Sequence, residues 1–140
     1  DEQYERIALK VVEVCGGSVA GKTIASWGLT FKANTDDLRD SPAVEIITRL
    51  LVDGASVSVF DPTVTVAPKG LDAITVCSSP LEACADADVI AVLTEWDDFR
   101  WVSPVEAAGV VSVKQIVDAR NLLDRSEWRR AGFEYQGIGR

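Results

Sequence analysis

Three basic side chains and one aromatic side chain follow predicted strands, at points where a phosphate-bearing ligand could bind. Lys32 and Arg39 lie in the long loop after the first predicted strand, and Arg120 directly follows a later one. Trp96 follows the apolar run at 88–93. Ligands of open parallel sheets bind beyond the carboxyl ends of the strands, and arginine and lysine bind phosphate by charge-assisted hydrogen bonds. The pattern is typical of a phosphate or nucleotide site, although surface loops carry charges in any protein.

Two residue types are absent from the chain, and one of these absences limits the catalytic groups and metal ligands that it can supply. The sequence of 140 residues contains no histidine and no methionine. Histidine is the usual general base and a common zinc ligand, so serine–histidine and cysteine–histidine nucleophiles and histidine-ligated zinc are excluded within this chain. Because translation begins with methionine, a chain that begins at Asp1 and has none is expected to be an excised piece of a longer protein.

The composition predicts one globular domain with neither a nucleic-acid nor a membrane partner. Hydrophobic residues make up 47% of the chain, and its net charge of −8 argues against broad nucleic-acid binding, which requires a basic surface. No apolar run approaches the ~18–20 residues that span a bilayer, and no secretory signal is visible. The odd set of Cys15, Cys77 and Cys84, without a CxxC pair, predicts reduced structural thiols in the cytoplasm.

Strand and helix patterns alternate along the chain, which predicts an α/β domain with a mainly parallel sheet. Apolar stripes at helical spacing, serine and proline at helix starts, and glycine at helix ends define the helices. The strands are predicted at 23–27, 56–60, 74–76, 88–93, 114–119 and 133–138, and the helices at 3–15, from 42 up to Gly54, at 80–85, within 97–108 with a break near Pro104, and at 123–131.

A glycine-rich segment matches the P-loop pattern but stands in the wrong order of elements. Residues 16–23 read G-x-x-x-x-G-K-T. A P-loop needs a strand before it and a helix after it, because the amino end of that helix faces the phosphates. Here a helix precedes the segment and a strand follows it. We therefore predict a helix-to-strand turn at the amino end of the sheet, and not a phosphate site.

A second pattern, the dinucleotide-binding fingerprint, is incomplete. Asp61 ends a predicted strand where a ribose-binding acid would stand, but of the G-x-G-x-x-G glycines only Gly28 is present. The loop after Gly28 is also far longer than the tight turn that brings pyrophosphate to a helix. We interpret Asp61 as a strand terminator and turn residue, in a nucleotide-type domain without the standard cofactor site.

Two acidic pairs could suggest a metal site. They are Asp36-Asp37 and Asp97-Asp98. Neighbouring loop residues rarely converge on one ion, and no third ligand has a recognisable spacing. We interpret both pairs as solvated or helix-capping residues and predict no metal site.

Several blocks of the sequence strongly resemble one enzyme family. They occur in the order GLTFKANTDDLRDSP, EIITRLLVDGASVSVFDP, TEWDDFR, VDARNLLD and GFEYQGIGR. From about Gly21 to Arg140 the chain is similar to the C-terminal, UDP-binding domain of the UDP-glucose/GDP-mannose dehydrogenase family, most of all to its UDP-glucose 6-dehydrogenases. The resemblance implies a three-layer Rossmann-like domain at 18–140. It also implies that residues 1–17 are the end of a long central dimerisation helix.

The resemblance also implies roles for individual residues. Phe31 and Lys32 match an FK pair that contacts the UDP-sugar, and Arg120 matches an arginine with the same role. Arg39 matches an arginine that reaches toward NAD. The catalytic cysteine of the family lies upstream of Asp1, so no catalytic residue is assigned in this chain.

Family members are cytoplasmic homodimers that oxidise UDP-glucose to UDP-glucuronate with two NAD⁺. By this resemblance, missing N-terminal and central domains bind most of the NAD and carry the nucleophile, and the isolated piece is expected to be inactive. Two alternatives stay open. One is a stand-alone nucleotide-binding or regulatory module, and the other is a dehydrogenase for another UDP-sugar such as UDP-N-acetylmannosamine.

Overall fold

The structure, a computed structural model, describes residues 2–30, 38 and 41–138. In the described part every predicted helix and strand is present. The strands are β1 Thr23–Trp27, β2 Ser56–Phe60, β3 Thr75–Val76, β4 Val89–Val92, β5 Gln115–Asp118 and β6 Glu134–Gly137. The helices are α1 Glu2–Val14, α2 Pro42–Val52, α3 Pro80–Cys84, α4 Asp97–Arg100, α5 Pro104–Val110 and α6 Arg125–Arg130.

The six strands form one parallel sheet in the order β3-β2-β1-β4-β5-β6. Chain order reverses between β1 and β4, so the crevice beyond their carboxyl ends is the topological switch point where ligands of such sheets bind. The strands also end level with one another. Trp27 is in register with Phe60 and Val92, Val92 with Asp118, and Asp118 with Gly137. The loops that follow five of the strands therefore leave from one edge, here called the carboxyl edge.

Both faces of the sheet are covered, which confirms the three-layer α/β prediction. α1 and α2 pack on one face, and α1 contributes Ile7, Ala8 and Val11 to the core there. α3 to α6 pack on the other face, where the rings of Trp27 and Trp128 meet edge to face. Because both of its faces are covered, β4 is buried along its whole length. No helix in the described part is long and apolar enough to cross a membrane.

Local sequence fixes where four of the helices begin. The side chains of Ser41, Ser79, Ser103 and Asp124 each accept a hydrogen bond from the backbone N–H three residues later. Such caps satisfy N–H groups that have no partner within the helix. The Ser41 hydroxyl also donates to the Leu29 carbonyl oxygen at 2.7 Å, so the start of α2 is tied to the segment that leaves β1.

Candidate functional site

A buried carboxylate joins three strand ends at the carboxyl edge. Asp61 follows β2 and is only 1% exposed. Its Oδ2 accepts hydrogen bonds from the backbone N–H groups of Leu29 at 2.9 Å and Thr30 at 3.1 Å, and from the indole N–H of Trp96 at 3.2 Å. Its Oδ1 accepts from the backbone N–H of Thr63 at 3.0 Å and from the Thr63 hydroxyl at 2.7 Å. Asp61 thus fixes the segments that follow β1 and β4 against the end of β2.

The electrostatic state of Asp61 follows from these contacts. Burial raises the pKa of its carboxyl, but the hydrogen bonds from Thr63, Leu29 and Thr30 outweigh burial and hold the pKa below its ordinary value. The group is therefore ionised at neutral pH. Because both oxygens are already engaged inside the protein, the carboxylate is not available to a ribose. Asp61 does end its strand, as the sequence predicts, but its role as a bridge between strands was missed.

Gly28 serves packing between strand ends. Its φ is +106°, and a Cβ added there would lie 2.4 Å from the Thr94 Cβ. The Gly28 N–H donates to the Phe60 carbonyl oxygen at 2.8 Å. The absence of a side chain thus lets β1 and β4 approach closely where they end. With Gly28 engaged in packing and Asp61 buried, the described residues of this edge do not fit NAD in a standard dinucleotide site.

A second buried carboxylate fixes the loop that carries Arg120. Asp118 ends β5 and is fully buried. Its Oδ1 accepts from the backbone N–H of Arg120 at 3.1 Å, and its Oδ2 accepts from those of Leu122 and Leu123, both at 2.9 Å. The hydroxyl of Tyr135 also donates to Oδ2. The backbone that carries Arg120 is therefore held rigidly at the carboxyl edge.

The Arg120 side chain is accessible and paired. Its Nη2 donates to Oε1 of Glu95 at 2.8 Å, with the side chains 39% and 45% exposed. Glu95 follows β4, so the ion pair bridges the loops after β4 and β5. A guanidinium carries five N–H donors, so this geometry leaves donors that an anion could use. Sequence reasoning did not single out Glu95 as a partner of Arg120, although both follow neighbouring strands.

The structure brings together two of the residues singled out at this edge. Arg120 and Trp96 both lie there, as predicted, but Trp96 is 9% exposed and its indole N–H is engaged with Asp61. Trp96 is consequently a packing residue and not an open stacking surface for a base. The other predicted site residues, Phe31, Lys32 and Arg39, lie outside the described residues.

The other motifs that the sequence offers are the P-loop-like segment and the two acidic pairs. The P-loop-like segment joins the end of α1 to Thr23, the first residue of β1, which confirms its place at the amino end of the sheet. Asp97 forms an ion pair with Arg100 within α4. Among the described residues no group of three or more metal-ligating side chains comes together, and the pair Asp36-Asp37 lies outside them.

The cysteines are free thiols. Burial raises the pKa of Cys84 to about 12, and it also raises the pKa values of Cys77 and Cys15. A thiol is nucleophilic as its thiolate, so these shifts make all three poor nucleophiles at neutral pH.

Comparison with known proteins shows which family the chain belongs to. The sequence profile of the UDP-glucose/GDP-mannose dehydrogenase family, UDP binding domain, matches residues 25–125. The chain belongs to this family. The matched range runs from β1 to the start of α6 and so includes the carboxyl-edge loops that follow β1, β2, β4 and β5.

Curated relatives agree with this assignment. The UDP-glucose 6-dehydrogenase of Rhizobium meliloti (strain 1021) is 37% identical over 141 residues, which cover 100% of this chain and 32% of that protein. The UDP-glucose 6-dehydrogenase of Rickettsia prowazekii (strain Madrid E) is 39% identical over 133 residues, which cover 93% of this chain and 31% of that protein. This UDP-binding domain therefore spans about a third of the length of the curated relatives it matches.

Solved structures confirm the fold. An NDP-N-acetyl-D-galactosaminuronic acid dehydrogenase from Methanosarcina mazei Go1 matches with a TM-score of 0.82 and 29% identity, over 98% of this chain and 28% of that one. A UDP-glucose dehydrogenase from Pyrobaculum islandicum matches with a TM-score of 0.76 and 29% identity, over 97% of this chain and 29% of that one. The same architecture thus occurs in dehydrogenases that are named for different sugars.

Proposed function

We propose that this chain is the UDP-sugar-binding domain of an NAD-dependent UDP-glucose 6-dehydrogenase. The whole enzyme would convert UDP-glucose, two NAD⁺ and water to UDP-glucuronate and two NADH. The observation that carries the proposal is the accessible guanidinium of Arg120 at the carboxyl edge, in a chain whose matched profile is a UDP-binding domain. A cation held at a strand end suits the diphosphate of a nucleotide sugar.

Arg120, Lys32 and Phe31 would contact the UDP-sugar, with the two cations near its diphosphate. Arg39 would reach toward NAD. What supports this grouping is the anchoring of the segment that leads into Phe31. Thr30, the residue before it, is bound to Asp61, and the Ser41 hydroxyl bonds to Leu29. Both ends of the intervening segment are thereby held at the edge that also carries Arg120.

The rest of the reaction would belong to other parts of a longer protein. The chain spans about a third of the length of its curated relatives, and its described carboxyl edge does not fit NAD in a standard dinucleotide site. We propose that an N-terminal domain binds most of the NAD and that the nucleophilic cysteine lies upstream of this chain. Residues 1–17 would be the end of a central dimerisation helix and 18–140 the UDP-sugar domain, in a cytoplasmic homodimer. The isolated chain would then be inactive.

Calorimetry with UDP tests the site. Losing a hydrogen bond to a charged group removes about 1.5–3 kcal/mol, so Arg120→Ala should weaken UDP binding roughly 10–100-fold. Lys32→Ala should also weaken it. The matched control is Arg49→Ala, because the Arg49 side chain is 41% exposed and is also ion-paired, to Glu5 and Asp53. Unchanged binding in both site variants, or equal weakening in the control, would contradict the assignment.

The identity of the sugar and the need for further domains are tested separately. The match of TM-score 0.82 to a dehydrogenase of an N-acetylated uronate keeps another UDP-sugar, such as UDP-N-acetylmannosamine, as the second candidate. NADH production by the whole enzyme with each sugar nucleotide would decide between them. Any NADH production by the pure chain would overturn the proposal that the nucleophile lies elsewhere. If the chain instead serves only as a stand-alone nucleotide-binding module, it would bind UDP, but the longer protein would oxidise neither sugar nucleotide.

A further inference from the structure

A large apolar side chain stands on the surface where α4 meets α5. Trp101 is 77% exposed, whereas the other three tryptophans are 0%, 9% and 2% exposed. Val105, in the first turn of α5, is 74% exposed. Single exposed apolar residues are ordinary, but Trp101 and Val105 line the same cavity and so form a patch of the kind found at interaction sites. Residues 101–103 are called here the Trp101 ridge.

Two cavities share the ridge as a wall, one on the side of α3 and the other on the side of α6. One has a volume of 360 Å³ and is lined also by Asp98 and Glu106. The other has a volume of 400 Å³ and is lined also by Arg100, Arg130 and Glu127. The first side is thus acidic, whereas the second carries both cations of the patch.

The charges on this patch match those of its own copy. With a net charge of −8, two copies repel one another unless the contact itself is complementary. An interface between two identical copies uses the same surface twice, and when the two-fold axis runs along the ridge each side of the ridge faces the opposite side of the partner's ridge. Glu106 of each copy would then face Arg130 of the other, which gives two equivalent contacts. Arg100 already pairs with Asp97, whereas Arg130 has no ion pair among the described residues, so Arg130 is the cation available for this contact.

We propose that the Trp101 ridge is an interface through which two copies of this chain associate about a two-fold axis. Trp101 of each copy packs on Trp101 of the other, and the acidic cavity of each faces the side of its partner that carries Arg130. Tryptophan and arginine are the residues that most often dominate binding energy at interfaces. Since few apolar residues take part, the dimer is weak and forms at high protein concentration.

Sedimentation velocity on the 140-residue chain, from micromolar to near-millimolar concentration, measures the association. Trp101→Ser should raise the dimer dissociation constant about 30-fold or more, as loss of a hot-spot residue does. Val105→Ser should raise it less. The matched control is Val66→Ser, because Val66 is 75% exposed and lines neither cavity. Exposed side chains contribute little to the core, so unchanged thermal unfolding would show that all three variants fold.

Acrylamide quenching of tryptophan fluorescence gives an independent readout. Only Trp101 is open to the quencher, because the other three tryptophans are buried. Quenching should therefore fall as protein concentration rises, and it should be weak at every concentration in Trp101→Ser.

Charge exchange tests the two-fold arrangement itself. Glu106→Arg places like charges opposite one another in its own dimer, and so does Arg130→Glu. Neither variant should associate alone, but a mixture of the two should, since both contacts are then between opposite charges.

Three results would overturn the proposal. A chain that stays monomeric at all concentrations would show that the ridge does not bind a second copy. A dimer that Trp101→Ser does not weaken would use a different surface. A mixture of the charge variants that fails to associate would exclude the two-fold pairing of Glu106 with Arg130.

Discussion

Replacing Asp61 by asparagine should remove a large part of the stability of the carboxyl edge. Oδ2 accepts four hydrogen bonds, two from Thr30, one from Leu29 and one from Trp96, and Oδ1 accepts two from Thr63. An asparagine amide has one oxygen. If that oxygen takes the place of Oδ2, each of its hydrogen bonds changes from a charged to a neutral one and loses about 1 kcal/mol. The hydrogen bonds from Thr63 to Oδ1 are also lost, but Thr63 is exposed and its donors can bind water instead. The expected loss is about 2–4 kcal/mol in the free energy of unfolding.

The same change should alter how stability depends on pH. The pKa of Asp61 is lower in the folded protein than its ordinary value, so its ionised form stabilises the fold at neutral pH. That contribution is complete above the unfolded-state value of about 4 and is lost as the pH falls through the lower folded-state value. The difference between wild type and Asp61→Asn should therefore be largest near pH 7 and should shrink on acidification below about pH 4.

Urea unfolding followed by circular dichroism between pH 7 and pH 3 measures both effects. The matched control is Asp97→Asn, because the Asp97 side chain is 60% exposed and its ion pair with Arg100 lies on the surface. We expect the control to differ from wild type by less than about 1 kcal/mol. A loss equally small in Asp61→Asn, or a large loss that does not change with pH, would refute the reasoning about this carboxylate.

Two further predictions concern the same edge. Gly28→Ala should lower the free energy of unfolding by about 3 kcal/mol or more in urea titration, since its Cβ would overlap Thr94. Gly70→Ala has a similar φ of +92° but no atom within 4 Å, so a loss as large there would show that backbone strain alone is responsible. Glu95→Gln should tighten UDP binding about 2–5-fold in calorimetry at low salt, because it removes a negative charge beside Arg120. Weaker binding would instead make Glu95 an essential support of that guanidinium.

The order of elements could be predicted because its signals are local. The apolar run at 88–93 is typical of a strand covered on both faces, and β4 is such a strand. Ser41-Pro42 predicts the start of α2, and the side chain of Ser41 caps that helix. The same local order identified the P-loop-like segment as a turn before β1. Each of these features depends on residues within one element and its immediate neighbours.

The hydrogen bonds and the ion pair at the carboxyl edge could not be predicted in the same way. Asp61 bonds to Leu29 and Trp96, which lie 32 and 35 positions away, and the Arg120–Glu95 pair spans 25 positions. These contacts exist because the strands pair in register, and sequence spacing alone does not encode that register. Trp96 illustrates the limit. Its position at the edge was predicted, whereas its burial depends on an indole hydrogen bond that only the assembled edge provides.

The most direct test of the central claim is to map where UDP binds. In a two-dimensional amide NMR titration of the labelled chain with UDP, we expect shifts at the backbone amides of Thr30, Glu95 and Arg120, and at the indole N–H of Trp96. The amides of Gly17 and Gly21, at the opposite edge of the sheet, should not move. Shifts confined to the two glycines, or no shifts under saturating UDP, would contradict a nucleotide-sugar site at the carboxyl edge.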